Sequence, residues 1–210
     1  MKKSTLFLFI ITFPLWGLGG FSCSKDDSQT HEDPFAKLPP ETQTGANTFG
    51  CIINNQIFYP RDGTGSLYVP GTKGLIFSGD GPDYTWNEIE IKNAQDGKPC
   101  ALMIIHLQDL FQNQEGEYIW HPSNFQNSID GLMQNYVYAR IFVPASSTWK
   151  YYGSFENSGK VTITRFDLPN RIVSGNFSGK LRLYNGTEEI EILNGRFDFK
   201  WSTLDITPFP

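Results

Sequence analysis

The sequence predicts an all-β fold, an antiparallel β-sandwich, on three observations. Apolar and polar residues alternate over long stretches: Val173, Gly175, Phe177, Gly179, Leu181 and Leu183 interleave with Ser174, Asn176, Ser178, Lys180, Arg182 and Tyr184. That period of two turns one face of a strand inward. Turn signals such as Asn185-Gly186 separate these stretches, and Asn-Gly is a strong hairpin signal. Aromatics make up 15% of the chain and charged residues only 19%, while helical periodicity is nearly absent, which suits strands and tight turns. Two packed sheets accommodate one strand that is apolar on both sides beside several one-faced strands. A barrel around an internal ligand is the second reading.

Taken in order, the chain of 210 residues begins with Lys2 and Lys3, then an apolar run from Leu6 to Leu18 broken by Pro14, then small residues. This is the layout of a secretory signal peptide. A membrane-spanning helix needs about 20 apolar residues, more than this run offers. Cys23 follows Gly20-Phe21-Ser22, which resembles a bacterial lipobox, although Gly20 stands where an aliphatic residue is usual. Ser24, Lys25, Asp26 and Asp27 come next and resemble the Lys-acidic export signal of surface lipoproteins of Bacteroidota. The resemblance implies that residues 1–22 are a lipoprotein signal peptide and that Cys23 carries the lipid. The mature protein is then anchored in the outer membrane and exposed at the cell surface. Several acyl chains anchor stably, at about 0.8 kcal/mol per buried methylene. Residues 23–46 are polar and acidic and carry Pro34, Pro39 and Pro40. They read as a flexible tether, with a single sandwich domain over residues 47–210.

Within the domain, Thr48 to Ile53 and Gln56 to Tyr59 flank Asn54-Asn55 and read as a hairpin, since Asn tolerates the positive φ of a two-residue turn. Arg61 to Gly74 is rich in Gly, Pro and Thr and reads as loop. In Trp86 to Lys92, Ile89 and Ile91 face one way and Trp86, Glu88 and Glu90 the other. Ala101 to Leu107 is continuously apolar up to His106, so it is expected to be buried on both faces. Leu107 to Leu132 is ambiguous, with room for a short helix near Leu110. In Tyr136 to Val143, Val137, Ala139, Ile141 and Val143 share one face, and Tyr136, Tyr138, Arg140 and Phe142 the other. After the Asn185-Gly186 turn, Ile190 and Ile192 are apolar at even positions but Phe197, Phe199 and Trp201 at odd ones. A strand changes face only through an irregularity, so a bulge is expected at Leu193-Asn194-Gly195, with Gly195 supplying positive φ.

The patterns GKVTITRFD, VSGNFSGKL and EIEILNGRFDFKW, together with a Pro-Pro-Glu-Thr-Gln tether running into Gly45-Ala46-Asn47-Thr48-Phe49-Gly50-Cys51, resemble a family of uncharacterised Bacteroidota lipoproteins. The resemblance spans most of the mature chain and implies the same export route, with no activity attached.

Net charge is −5 without a run of Lys or Arg, which argues against nucleic acid as a partner. If Cys23 is lipidated, Cys51 and Cys100 remain as a pair. The alternatives are a disulfide, which would close a loop of about 50 residues worth roughly 4 kcal/mol, and two separate buried thiols. No GxSxG, HExxH, P-loop or CxxC pattern occurs, so no catalytic residue, metal ligand or cofactor is assigned. His106 in an apolar strand reads as a core or edge histidine. Asp62-Gly63 and Asp80-Gly81 read as turns, and Glu115 and Glu117 as a solvated edge, with a carboxylate pair as the alternative. Trp149, Tyr151 and Tyr152 are the candidate ligand-contact aromatics, because exposed rings stack on sugar faces and anchor interfaces. The sequence therefore predicts a non-catalytic, lipid-anchored binding or accessory module for a glycan or an envelope protein. A structural component of an envelope assembly comes second and a hydrolase third.

Overall fold

The protein was analysed as a computed structural model, which describes residues 33–64, 71–95 and 98–210. The leader, Cys23 and the Ser24–Asp27 signal lie outside the described residues, as does part of the loop expected between Arg61 and Gly74. The described chain holds eleven strands: β1 (Thr48–Ile53), β2 (Gln56–Phe58), β3 (Leu75–Ser78), β4 (Trp86–Gln95), β5 (Lys98–Gln108), β6 (Gly116–Ile119), β7 (Tyr136–Val143), β8 (Thr148–Gly153), β9 (Gly159–Asp167), β10 (Ile172–Leu183) and β11 (Glu189–Lys200). One helical turn, Leu110–Asn113, sits between β5 and β6, where the sequence leaves room for it.

The all-β prediction holds, as one antiparallel sheet curled into a half-barrel. Its order is β2-β1-β11-β10-β8-β7-β5-β4-β3, with β9 on β10 and β6 on β9. The curl turns on β10. Residues Ile172 to Gly179 of β10 pair with β9, while Arg182 and Leu183 at its end pair with Gly153 and Tyr152 of β8. The long strand thus joins two half-sheets, a first (β2-β1-β11-β10-β9-β6) and a second (β8-β7-β5-β4-β3). Their inner faces share one core. Ile89, Ile91, Met103, Ile105 and Val137 from the second meet Cys51, Val173, Phe177, Phe197 and Phe199 from the first. Phe77 of β3 packs on Phe199 of β11 with ring centroids 5.4 Å apart.

The expected irregularity in β11 is present. Gly50 pairs with Arg196 but Ile52 with Leu193, and Phe177 pairs with Gly195 but Gly179 with Ile192. β11 therefore carries one extra residue, Asn194, which is unpaired in both ladders, and burial changes parity there, from Ile190 and Ile192 to Phe197 and Phe199. The positive φ falls on Asn194, at 50°, rather than on Gly195. Gly195 serves close packing instead, because a Cβ there would lie 2.6 Å from the Phe177 ring. The β1–β2 turn is also as expected, with Asn54 and Asn55 at φ 47° and 64°.

The stretch expected to be tether up to residue 46 is bound at its end. Asp198, on the outer face of β11 and 1% exposed, accepts the N–H groups of Thr44 (2.9 Å), Gly45 (2.8 Å) and Ala46 (3.1 Å). It also accepts the hydroxyls of Thr42 (2.6 Å) and Ser174 (2.7 Å). Burial alone would raise its pKa, but these donors outweigh burial and hold it down to about 2, since hydrogen bonds to a carboxylate favour its charged form. The physical reason for the difference is that a carboxylate on a strand needs donors, and the extended arm supplies its backbone. The arm thus crosses part of the outer face of the first half-sheet, where Arg165 donates to the Gln43 carbonyl and Arg196 to the Pro39 carbonyl.

Candidate functional site

The outer face of the second half-sheet is the site the sequence points to. Register places its outward side chains in cross-strand rows. Glu88, His106 and Tyr136 form one row. Glu90, Ile104 and Tyr138 form the next, and Lys92, Leu102, Arg140 and Tyr151 the third. Phe142 and Trp149 are opposed beyond it. Tyr184 extends the third row, because its N–H donates to the Tyr151 carbonyl at 2.8 Å.

The two ends of this face are treated differently. Residues 122–134 cross over the first rows. Ser128 donates its N–H to Glu88 Oε1 at 2.7 Å, and Tyr136 donates its hydroxyl to the Gln126 carbonyl at 2.9 Å. Phe125 packs against Tyr138 and Tyr184. A side chain at Gly131 would collide with the Tyr136 hydroxyl, so the covering segment passes close only because that residue is glycine. Beneath it His106 Nδ1 lies 2.8 Å from Glu88 Oε1, both side chains at most 4% exposed. The His106 ring stacks on Tyr136 with centroids 4.4 Å apart. The buried His106 is thus a core residue, as expected, although its Nε2 has no hydrogen-bond partner. Tyr138 is pushed up to about 12 by burial and by the charges of Glu88 and Glu90.

The other end is open. Tyr151 is 43% exposed and Tyr184 61%. Trp149 is half-buried, with Phe142 edge-on at 5.3 Å and the Arg140 guanidinium 4.7 Å above its ring. Arg140 Nε is buried and finds no partner. Tyr152 does not belong to this surface, which corrects the expectation. Strand β8 alternates, so Trp149 and Tyr151 point outward while Tyr152 is 3% exposed in the core. Its hydroxyl donates to Glu188 at 2.6 Å, and burial followed by that bond raises its pKa. Arg140 and Tyr184 are the site residues that sequence reasoning missed. Both sit at the outward parity, and the available signal was an arginine between aromatics at alternate positions.

Cys51 and Cys100 are not bridged. Cys51 is sealed in the core, where burial pushes its thiol up. Cys100 is half-buried at the parity of Leu102 and Ile104 on the outer face, so the two thiols lie on opposite sides of the sheet.

A cavity of about 460 Å³ opens beside β6 and is lined by Glu115, Glu117 and His121 among others. Its acids are already engaged. Glu117 pairs with Lys160, Glu115 accepts the Phe166 N–H at 3.1 Å, and His121 lies 3.1 Å from Glu156. Asp62 is engaged likewise, by the Gly74 N–H at 2.7 Å and the Phe209 N–H at 3.2 Å. Among the described residues no group of three or more His, Cys, Asp or Glu is placed to hold a metal ion. Comparisons with protein-family models, curated proteins and solved structures returned no match.

Proposed function

We propose that this chain is a lipid-anchored lipoprotein of the outer membrane, exposed at the cell surface, that acts as a non-catalytic binding module. The observation that supports binding is the open row Tyr184–Tyr151–Arg140 with Trp149 behind it, on a sheet face whose other end is covered. Aromatic faces left in water on a rigid sheet provide contact area at little conformational cost. The anchor rests on Cys23 within Gly20-Phe21-Ser22-Cys23 and on Ser24-Lys25-Asp26-Asp27, in the manner of the Bacteroidota lipoproteins the chain resembles. Fractionation and protease shaving of intact cells test that half. Wild type should be membrane-bound and shaved, and Cys23→Ala released. Membrane retention of Cys23→Ala would overturn the anchor. The binding half is tested by screening the purified protein against glycans and envelope extracts, where Trp149→Ala with Tyr151→Ala should abolish every genuine hit.

A second reading, a structural component of an envelope assembly, is favoured by Ile129 and Met133 on the covering segment, 85% and 78% exposed. An envelope partner that crosslinks at Ile129 in preference to Tyr151 would select it.

A further inference from the structure

We infer that the open row takes an acidic glycan, a saccharide chain bearing carboxylate or sulfate groups, with Tyr151 and Tyr184 stacking on its rings and Arg140 pairing with its anion. The inference rests on the binding reading above and assigns the ligand class.

Arg140 stands apart from its peers. The other arginines set on strands each meet a carboxylate: Arg165 with Asp167 at 2.6 Å, Arg182 with Glu189 at 2.9 Å, and Arg196 with Glu41 at 3.8 Å. Lys92, on the same row as Arg140, is bridged to Glu90 at 2.6 Å. Among the described residues Arg140 forms no ion pair, and its contact is the Trp149 ring. Arg140 is therefore the unneutralised positive charge of the row in a protein whose net charge is −5. A guanidinium presents a rigid fork of donors that matches a carboxylate or sulfate in a bidentate way. Stacking on Trp149 holds that fork before any ligand arrives, which lowers the ordering cost of binding.

The neighbours fit a sugar chain. Tyr151 lies directly opposite Arg140 on the adjacent strand, and Tyr184 follows beyond Tyr151. Adjacent strands lie about 4.8 Å apart, so flat rings and a cation recur along a line that crosses the strands, as a repeating chain of sugar rings requires. An acidic peptide of similar affinity would need a desolvated pocket for an anchoring side chain. The cavity beside β6 lies elsewhere in the fold and does not reach this row.

The test uses the mature, lipidated protein in detergent micelles and three immobilised probes: a carboxylated polysaccharide (polygalacturonate), a sulfated one (chondroitin sulfate) and a neutral one (dextran), with polyglutamate as the peptide control. At least one acidic polysaccharide should bind about tenfold or more tightly than dextran, and binding should fall as salt rises. Arg140→Gln should erase that preference, Arg140→Lys should restore part of it, and Tyr151→Ala should weaken all saccharide binding. Thermal melting confirms that each variant is folded. Unchanged acidic binding in Arg140→Gln sinks the inference but leaves the binding module standing if Tyr151→Ala loses affinity. Preference for dextran does the same. Polyglutamate binding as tight as the best polysaccharide overturns the glycan assignment in favour of an acidic peptide. Binding to none of the four probes overturns the acidic-glycan assignment outright, and the wider glycan and envelope-extract screen then decides the binding module separately.

Discussion

Asp198 and Arg140 are both charged side chains on the outer face of the same sheet, and they are provided for in opposite ways. Asp198 is 1% exposed and surrounded by donors from the arm and from Ser174. Arg140 is half-exposed, rests on an indole ring and has a buried Nε without a partner. The difference teaches how to separate a charge that holds the fold from one that is available. A buried charge is tolerated only when its hydrogen bonds are complete, so completeness marks a structural role. A charge without an ion pair on an accessible face marks a place where a partner can supply the counter-charge.

The largest effect should come from Asp198. Asp198→Ala removes the acceptor for three backbone N–H groups and three hydroxyls, and should cost roughly 3 kcal/mol in denaturant unfolding. It should also expose residues 38–46 to limited proteolysis. A variant whose arm stays protected would show that contacts other than the carboxylate hold it. The pH dependence has a fixed sign. The carboxyl titrates at about 2 in the fold against 3.8 for the ordinary group. Its contribution is therefore complete above about pH 4 and is lost as pH falls toward 2. The stabilities of wild type and Asp198→Ala should converge in that window, and a gap that stays constant down to pH 2 would break the assignment.

That clasp was illegible in the sequence for a physical reason. Residues 38–46 carry prolines and polar side chains, the composition of a linker, and what docks them is mostly backbone N–H, which every residue but proline possesses. The strands were legible because alternation is a property of side chains. Ile89 and Ile91, Val137 and Ala139, and the parity change around Asn194 all reappear in the burial. Trp149 and Tyr151 were legible as contact candidates, but Tyr152 was not separable from them until register fixed which way β8 faces. Which end of the second half-sheet is open depends on where residues 122–134 cross. No local pattern encodes that.

The covered end should respond next. Gly131→Ala places a methyl group against the Tyr136 hydroxyl, an overpacking that costs roughly 2 kcal/mol. The loss should be local. Hydrogen exchange at the Ser128 N–H, bonded to Glu88, should speed up, while the N–H groups of β10 paired with β11 keep their protection. Uniform loss of protection would mean that the segment is part of the global core rather than a separate cover. Tyr152→Phe, inside the core, should cost about 1 kcal/mol through the lost bond to Glu188, the usual net worth of one such bond.

The smallest effect should come from Arg140, and it is the most discriminating. Arg140→Gln gives up a cation–π contact worth about 0.5–1 kcal/mol at a half-exposed site. It also removes a buried donor without a partner, an arrangement that itself costs about 1–3 kcal/mol. The two terms oppose each other, so stability in denaturant should change by no more than about 1 kcal/mol, with stabilisation the favoured sign. Were Arg140→Gln to lose 3 kcal/mol, as expected for Asp198→Ala, the contrast between the two charges would collapse and Arg140 would belong to the fold. A neutral or stabilising change combined with loss of ligand binding is the signature of a residue kept at some expense to stability because something outside the chain completes it.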